Sequence, residues 1–244
     1  MIRNVIFSAV FAFSGIASAK DEVKILPVPE KSVLEVDKKR LINILGPVNA
    51  QIVDKANDLM RLARTSRAPI YLFVNSPGGS VRAGNVFIDA MTITKSRGIE
   101  IKCVTSIYAA SMAFSILANC SDRYVLPNAR LLFHPARIGI MGAFTGPEYQ
   151  EFADILNNLD KSLQEFLVEE LEIDRDVMLK AYYAEKWWDA KELQAATKKG
   201  WLTIVDDITG IDDLFSFKAG RVKQSDFIHE LNEFGHVFFH TATN

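Results

Sequence analysis

Short apolar runs alternate with segments of helical periodicity along the middle of the chain. The runs at residues 40–46, 70–75 and 99–108 each have the length of a buried strand. Residues 49–64 and 83–98 carry their apolar side chains at helical spacing, and the second of these segments ends at a glycine. Because strands and helices alternate, the pattern predicts an α/β fold with a buried, largely parallel sheet.

A longer segment of helical periodicity covers residues 146–171. Its apolar positions recur at the helical period, whereas charged and amide side chains occupy the other faces. A helix of about 25 residues is about 37 Å long, given the rise per residue of an α-helix. The segment predicts either a helix that extends past the core to meet a partner subunit or a core helix with one apolar stripe. The pattern favours neither.

The first twenty residues have a different pattern, that of an exported protein. Arg3 is the only charge before Lys20. An apolar run at 5–16 leads to Ala-Ser-Ala at 17–19, the small-x-small pattern that signal peptidases cleave. The run is short for a membrane span, so the sequence predicts a cleaved signal peptide at 1–19 and a periplasmic or secreted protein. An uncleaved membrane anchor is the alternative.

Composition and charge are those of an ordinary globular protein. Of the 244 residues, 49% are hydrophobic and 24% are charged, which is enough apolar material for a sizeable core. The formal net charge of -2 gives no indication of nucleic acid as a partner. After the signal peptide, the pattern predicts an N-terminal segment at 20–39, a main domain at 40–209 and a C-terminal extension at 210–244.

The cysteines and the last histidines give weak indications. If a strand runs into Ser111 and a helix runs back from it, Cys103 and Cys120 meet at the far end of this unit. A disulfide requires their Cα atoms to lie within roughly 7 Å, and the sequence slightly favours two unpaired, buried side chains. The C-terminal extension carries His229, His236 and His240. Without well-spaced cysteines or carboxylates they are a weak metal signal, so we expect no metal and no cofactor.

Ser111 stands in the apolar stretch IYAASMAF, where a serine usually packs within a helix. Here a predicted strand ends just before it and a helix begins at it, which is where side chains reach the carboxyl edge of a sheet. The first N–H groups of a helix have no partner inside it, so the N–H of Met112 can bind an oxyanion. The loop NSPGGS leaves the neighbouring strand on the same side, and Gly78 and Gly79 let a substrate backbone approach.

A serine needs a base to become a useful nucleophile. His134 ends the predicted strand RLLFH, which places it at the sheet edge, with Pro135 directly after it. A single histidine at a strand end is more often structural. Its combination with a serine at a helix start and a glycine loop favours a catalytic pair of Ser111 and His134.

Four segments in this order resemble the Clp-type serine endopeptidases, the proteolytic-subunit family (ClpP-like) with a crotonase-like fold. They are FVNSPGGSVRAG at 73–84, AASMAF at 109–114, LPNARLLFHP at 126–135 and WWDAKELQAATKKGWLTIVDDI at 187–208. The resemblance implies a spiral of βα units with a protruding long helix, the handle, that joins subunits between stacked homo-oligomeric rings. It implies Ser111 as nucleophile, His134 as general base and the N–H groups of Gly78 and Met112 as the oxyanion hole. The signal peptide departs from that family, because secretion separates the chain from ATP-driven unfoldases, so the expected substrates are peptides or unfolded proteins.

The third member of a catalytic triad is the main departure from that family. Counting back from the closing segment places the family's aspartate at 181–183, where this chain has Ala-Tyr-Tyr. A tyrosine hydroxyl or a backbone carbonyl can orient the histidine of a Ser–His dyad, or a carboxylate can act from a shifted position. The candidates for the third member are Tyr183, Asp176, Glu185 and Asp189.

Two other functions stay open on the sequence. An exported serine–lysine hydrolase, similar to the signal-peptide peptidases, shares the glycine loop and the AAS segment, and Lys161 stands at a plausible distance to be its base. His134 favours the Clp-type peptidase over this enzyme. A non-catalytic, ring-forming subunit would keep the fold and lack the acid.

Overall fold

The structure of the protein, a computed structural model, describes residues 31–211. The predicted signal peptide at 1–19, residues 20–30 and residues 212–244 of the predicted extension lie outside the described residues, and so do the three histidines of that extension. Among residues 31–211, no helix combines the length and the apolar character that crossing a membrane requires.

A five-stranded sheet forms the centre of the described chain. Its strands in spatial order are β2 (Leu41–Leu45), β3 (Ile70–Asn75), β4 (Ile101–Thr105), β6 (Asp122–Val125) and β9 (Thr203–Ile204). Every pairing in this sheet is parallel. A second sheet contains β5 (Tyr108–Ala110), β7 (Arg130–Leu132) and β8 (Trp188–Asp189). The predicted α/β fold with a largely parallel sheet is confirmed.

The remaining strands tie the two ends of the described chain together. Strand β1 (Val33–Glu35) pairs in parallel with β10 (Asp207–Thr209). Since β1 lies within the segment 20–39, the folded part of the chain begins before residue 40, where the sequence placed the start of the main domain.

Within residues 31–211, six α-helices connect the strands. They are α1 (Ile52–Thr65), α2 (Val81–Ser96), α3 (Met112–Ala118), α4 (Gly146–Leu171), α5 (Arg175–Tyr183) and α6 (Ala190–Ala196). Local sequence explains where several of them begin. The Ser80 side chain caps α2 by accepting the N–H of Ala83, and Thr145 and Glu148 form a capping box at the start of α4.

The core lies around β3, whose apolar side chains are hidden on both faces of the sheet. Ile70, Leu72 and Val74, on one face of the strand, are fully buried, and Phe73, on the other face, is 3% exposed. A continuous apolar strand of this kind is typical of a parallel sheet that helices cover on both sides.

The third predicted strand is not continuous, which corrects the prediction of one strand at residues 99–108. The chain instead forms β4 and β5, in different sheets, with a break at Ser106 and Ile107. The buried Asn75, at the end of β3, accepts the N–H groups of Ser106 at 3.2 Å and Ile107 at 2.8 Å. Because this side chain satisfies the backbone at the break, the strand can end there and the chain can turn towards Ser111.

Cys103 and Cys120 form a disulfide, with their Cα atoms 5.9 Å apart. The slight preference for two unpaired cysteines was therefore wrong. After the turn at Ser111, helix α3 leads the chain to the beginning of β6, which pairs with β4. The pairing of Cys103 with Arg123 in that register brings Cys120 beside β4.

Helix α4 has the predicted bounds, and its burial is confined to one end. Leu167 and Leu171, in its last turns, are its buried residues. Nearer its start, Tyr149 and Ile155 are 52% and 50% exposed. The helix therefore packs on the core through its C-terminal turns and leaves the apolar positions of its N-terminal part accessible.

Candidate active site

Two parallel strands bring Ser111 and His134 to the same edge of the second sheet. Strands β5 and β7 pair with Ala110 opposite Leu132. Ser111 follows β5 directly, and its N–H donates to the carbonyl of Leu132 at 2.8 Å. His134 lies just beyond the end of β7, so both side chains line one cavity of about 320 Å³. The pair that the sequence singled out is thus brought together.

The backbone of Ser111 turns the chain from strand to helix in a conformation that few side chains adopt. Its φ is 55° and its ψ is -127°. A non-glycine residue at positive φ costs on the order of 1–3 kcal/mol, and such residues are concentrated at functional sites. The turn resembles the sharp strand-to-helix elbow that exposes nucleophilic serines in other hydrolases. It places the hydroxyl group at the head of α3, in the cavity.

Gly78 packs its backbone directly against this turn. At its φ of 88°, a Cβ would lie 2.5 Å from the carbonyl oxygen of Ala110 and 2.6 Å from the Cβ of Ser111. No side chain fits at that distance, and the positive φ also favours glycine. The loop between β3 and α2 therefore lies in contact with the serine, as the sequence pattern predicted for a glycine loop at this edge.

The two N–H groups predicted to bind an oxyanion have different surroundings. Met112 is the first residue of α3, and its N–H has no hydrogen-bond partner among the described residues. The N–H of Gly78 instead donates to the Oγ of the buried Ser76 at 3.1 Å. Ser76 was absent from the sequence-based site. The Gly78 donor is available to a ligand only when it gives up or shares this bond.

A backbone carbonyl orients the imidazole of His134. The Nδ1 atom lies 2.7 Å from the carbonyl oxygen of Pro135. Since a carbonyl oxygen can only accept, Nδ1 carries a proton in this contact and Nε2 of the neutral ring keeps its lone pair. This is the tautomer that a general base for a serine requires. A carbonyl was one of the two dyad arrangements that the sequence left open.

None of the four candidates for a third triad member makes a hydrogen bond or ion pair with His134 among the described residues. The Tyr183 hydroxyl accepts from Nε2 of Gln164 at 3.0 Å, and Tyr183 is 64% exposed. Asp176 is exposed in the first turn of α5. Glu185 pairs with Arg137. Asp189 caps α6 by accepting the N–H of Glu192 at 2.8 Å. Local contacts thus account for three of the four side chains.

Lys161, the base of the serine–lysine alternative, lies on an exposed face of α4. Its neighbours Leu159 and Ser162 line the cavity beside Ser111, whereas Lys161 is not among the described residues that do so. The geometry of α4 therefore turns this amine away from the serine.

Asp160 is the carboxylate that the sequence reasoning missed. Its Oδ1 accepts the N–H of Ala136 at 2.7 Å and the hydroxyl of Tyr182 at 2.8 Å. Burial, and secondarily the bond to Asp160, raise the pKa of the Tyr182 hydroxyl, which therefore remains a donor. In the sequence, Asp160 was one of several polar residues on a long helix, and no spacing distinguished it.

The cavity beside Ser111 is mainly apolar. Its wall includes Ile88 of α2, Met112 of α3, and Leu163 and Phe166 of α4. Its volume lies at the small end of the range for ligand pockets, and apolar walls with a few polar groups are typical of them. Such a pocket suits an apolar side chain of a ligand.

Comparison with known proteins agrees with the geometry. A sequence model of the Clp protease family matches residues 30–209, which is most of the chain. The chain belongs to the Clp protease family. The resemblance inferred from four segments is thereby confirmed, and the parallel α/β architecture with its long helix agrees with the fold of that family.

The match between this Clp protease family member and individual relatives covers most of the length of each relative. An ATP-dependent Clp protease proteolytic subunit from Streptococcus mutans is 31% identical over 159 residues, which are 64% of this chain and 80% of the relative. The proteolytic subunit 3 from Rhizobium etli is 30% identical over 175 residues, 68% of this chain and 90% of the relative. These similarities support a serine peptidase function.

Proposed function

We propose that the protein is a serine endopeptidase that hydrolyses peptides or unfolded proteins through an acyl-enzyme on Ser111. The observation that carries the proposal is the shared cavity: a serine at a strained strand-to-helix turn lies beside a histidine whose Nδ1 is held as a donor by the Pro135 carbonyl. A free helical N–H at Met112 completes the set of groups that acyl transfer requires.

The proposed reaction has two halves. Nε2 of His134 takes the proton from the Ser111 hydroxyl as Oγ bonds to the carbonyl carbon of the substrate. The carbonyl oxygen becomes an oxyanion that accepts from the N–H of Met112 and from that of Gly78, once Gly78 releases Ser76. The imidazolium then protonates the leaving nitrogen, the C–N bond breaks and an ester remains on Ser111. Water hydrolyses this ester by the same proton transfers.

The test is covalent labelling of the serine. A fluorophosphonate probe should label the wild-type protein, and peptide mass spectrometry should locate the adduct on Ser111. Ser111→Ala should abolish both labelling and peptidase activity without lowering the melting temperature. Ser115→Ala is the matched control, because Ser115 lines the same cavity from α3, and it should label normally.

Two results would contradict the proposal. Labelling that survives Ser111→Ala would assign the reactive nucleophile to another residue. A folded wild-type protein that neither labels nor cleaves an unfolded substrate would be a non-catalytic subunit of the family.

We further propose that the protein is exported and works as a homo-oligomeric ring. Export is supported by the apolar run at 5–16 and the Ala-Ser-Ala sequence at 17–19. Assembly is supported by the accessible apolar positions of α4 and by the description of the relatives as subunits. Export would separate the ring from ATP-driven unfoldases, so its substrates would be peptides or already unfolded chains.

Export is tested by expressing the full chain in a bacterium and fractionating the cells. The protein should be found in the periplasm or the medium, and its N-terminal residue should be Lys20. A product that keeps Met1 and sediments with the membranes would support the uncleaved anchor instead.

A further inference from the structure

One peptide group joins His134 to a carboxylate. The carbonyl of Pro135 accepts from Nδ1 of His134 at 2.7 Å. The N–H of Ala136, the other end of the same peptide group, donates to Oδ1 of Asp160 at 2.7 Å. A planar amide therefore lies between the imidazole and the carboxylate, with a short hydrogen bond at each end.

The amide can transmit part of the effect of the carboxylate. Resonance in a peptide group shifts electron density from nitrogen to oxygen, and an anion that accepts the N–H stabilises this polarised form. Hydrogen bonds in such a chain strengthen one another. The Pro135 oxygen thus becomes a better acceptor for Nδ1–H, most of all when the ring is an imidazolium during the reaction.

Tyr182 holds Asp160 in place by a hydrogen bond. It belongs to residues 181–183, where the family resemblance implies an aspartate that this chain lacks. Tyr182 lies at the centre of residues 181–183, is fully buried and donates its hydroxyl to Oδ1 of Asp160 at 2.8 Å. The side chain at this position thus reaches a carboxylate supplied by α4. This carboxylate accepts the backbone N–H of Ala136, two residues after the histidine.

We propose that Asp160 is a positioning residue that orients and electrostatically supports His134 through the Pro135–Ala136 peptide group, in place of a directly bonded aspartate. The proposal rests on the proposed peptidase function. It assigns Asp160 no contact with substrate, and it assigns Tyr182 the task of holding the carboxylate.

The other ionisable groups near this peptide group are less suited than Asp160 to support His134 electrostatically. Tyr182 is the donor to Asp160 and carries no charge at ordinary pH. Arg137 and Glu185 form an ion pair whose side chains are 66% and 43% exposed, so solvent screens it. Asp160 is the carboxylate that is bonded to the backbone next to His134.

The test is Asp160→Asn, which removes the charge and keeps an oxygen that accepts from Ala136 and Tyr182. We expect kcat to fall about tenfold or more, less than the roughly 10⁴-fold loss for a directly bonded aspartate, because the Pro135 carbonyl still sets the tautomer. KM and the melting temperature should change little. Asp154→Asn is the matched control, because Asp154 lies on the same helix and, within residues 31–211, accepts from Gln150; it should behave as wild type.

The pH profile separates an electrostatic role from a structural one. A carboxylate favours the imidazolium, whereas the neutral ring is the active base. Asp160→Asn should therefore move the acid limb of the kcat/KM profile towards lower pH, and Asp160→Glu should restore part of the rate and of the wild-type profile. A variant that only loosens the loop would lower the rate without moving the acid limb.

The experiment distinguishes failure of the proposed peptidase function from failure of the proposed role of Asp160. A wild-type protein without Ser111-dependent turnover contradicts the peptidase. Ser111-dependent turnover that Asp160→Asn leaves unchanged in rate and pH profile contradicts only the role of Asp160. If Asp160→Asn does not fold, Asp160→Ser decides the question, because it also removes the charge: a lower kcat with the acid limb moved towards lower pH supports the role, and an unchanged rate and acid limb overturn it.

Discussion

At Ser111 the backbone adopts a conformation that neighbouring residues must stabilise. The N–H of Ser111 is bonded to the carbonyl of Leu132, and Gly78 packs against its Cβ. Asn75 accepts backbone N–H groups at the break that leads into β5. Leu132 ends β7, whereas Asn75 ends β3 and Gly78 lies in the loop after it, so the position of the serine depends on the assembled sheet edge.

The contact of Gly78 with the serine turn gives a testable prediction. Gly78→Ala should lower the free energy of unfolding by about 1–3 kcal/mol and greatly reduce labelling of Ser111, because the new methyl group meets the backbone of Ala110 and Met112. Chemical denaturation and the rate of fluorophosphonate labelling measure the two effects.

Gly46→Ala is the control for backbone strain alone. Gly46 also has a positive φ, 73°, but a Cβ there meets nothing within 4 Å. It should show a smaller loss of stability and normal labelling. Equal labelling rates in the two variants would show that close packing at Gly78 is unnecessary.

The identity of the base gives a second prediction at this scale. His134→Ala should lower kcat about 10²- to 10⁴-fold with the fold intact, because the serine loses its proton acceptor. Lys161→Ala should have little effect, because the lysine is exposed on α4 and does not line the cavity among the described residues. Steady-state kinetics on one peptide substrate compare them. The reverse order of effects would establish the serine–lysine mechanism.

At the scale of elements, β4, β5 and α3 form the unit that carries the serine, and a disulfide joins the two ends of this unit. The disulfide joins Cys103 of β4 to Cys120, just beyond α3. The intervening chain therefore turns at Ser111 and returns to the strand from which it came. A covalent link across the base of this unit limits how far the turn can move when it unfolds locally.

Removal of this disulfide should destabilise the whole fold. The linked cysteines are 17 residues apart, and closing a loop of that size stabilises a protein by about 3 kcal/mol in the chain-entropy model. The double variant Cys103→Ala and Cys120→Ala should lose about this amount in chemical denaturation. Wild-type protein unfolded under reducing conditions provides the comparison. An unchanged midpoint would mean that the buried packing alone maintains the unit.

Arg40 shows a second way in which distant residues complete an element. It is buried directly before β2, and its guanidinium donates to the carbonyl of Leu62 in the last turn of α1 and to those of Ser66 and Ala68 just after the helix. The last carbonyls of a helix have no partner inside it. A side chain from before the helix therefore supplies the C-terminal cap, which no local sequence signal at residues 62–68 indicates.

At the scale of the whole molecule, the two ends of α4 have different surroundings. Its C-terminal turns are fixed to the core, where Glu170 pairs with the buried Arg123 of β6 and accepts from Trp201 at 3.1 Å. Its N-terminal part keeps apolar side chains accessible. The helix is thus anchored at one end and open to contact at the other.

The proposed ring assembly depends on that open part of α4. Ile155→Glu puts a charge on an apolar position that is 50% exposed, and it should dissociate the assembly because an unpaired charge is costly to bury. Sedimentation velocity at micromolar concentration should show a smaller species. Asn157→Glu adds the same charge on the other side of the helix and should leave assembly intact. A wild-type protein that is monomeric at this concentration contradicts the ring.

The sequence by itself determined the elements whose signals are local. The bounds of β3 and α4 follow from an unbroken apolar run and from helical periodicity, and both were predicted correctly. The sequence also placed Ser111, Gly78 and His134 on one edge, because the residues after parallel strands gather there. Each of these inferences uses neighbours within one turn or one strand.

Tertiary structure decided the features that join residues far apart in the chain. The amide of Asn75 ends the third predicted strand, and Cys103 finds Cys120 only after α3 has folded back. Asp160 reaches Ala136 and Tyr182, which are 24 and 22 residues away. A side-chain hydrogen bond or a disulfide leaves no periodic trace in a sequence, since its geometry exists only when separate elements have packed. For that reason the serine and histidine were predictable and the carboxylate was not.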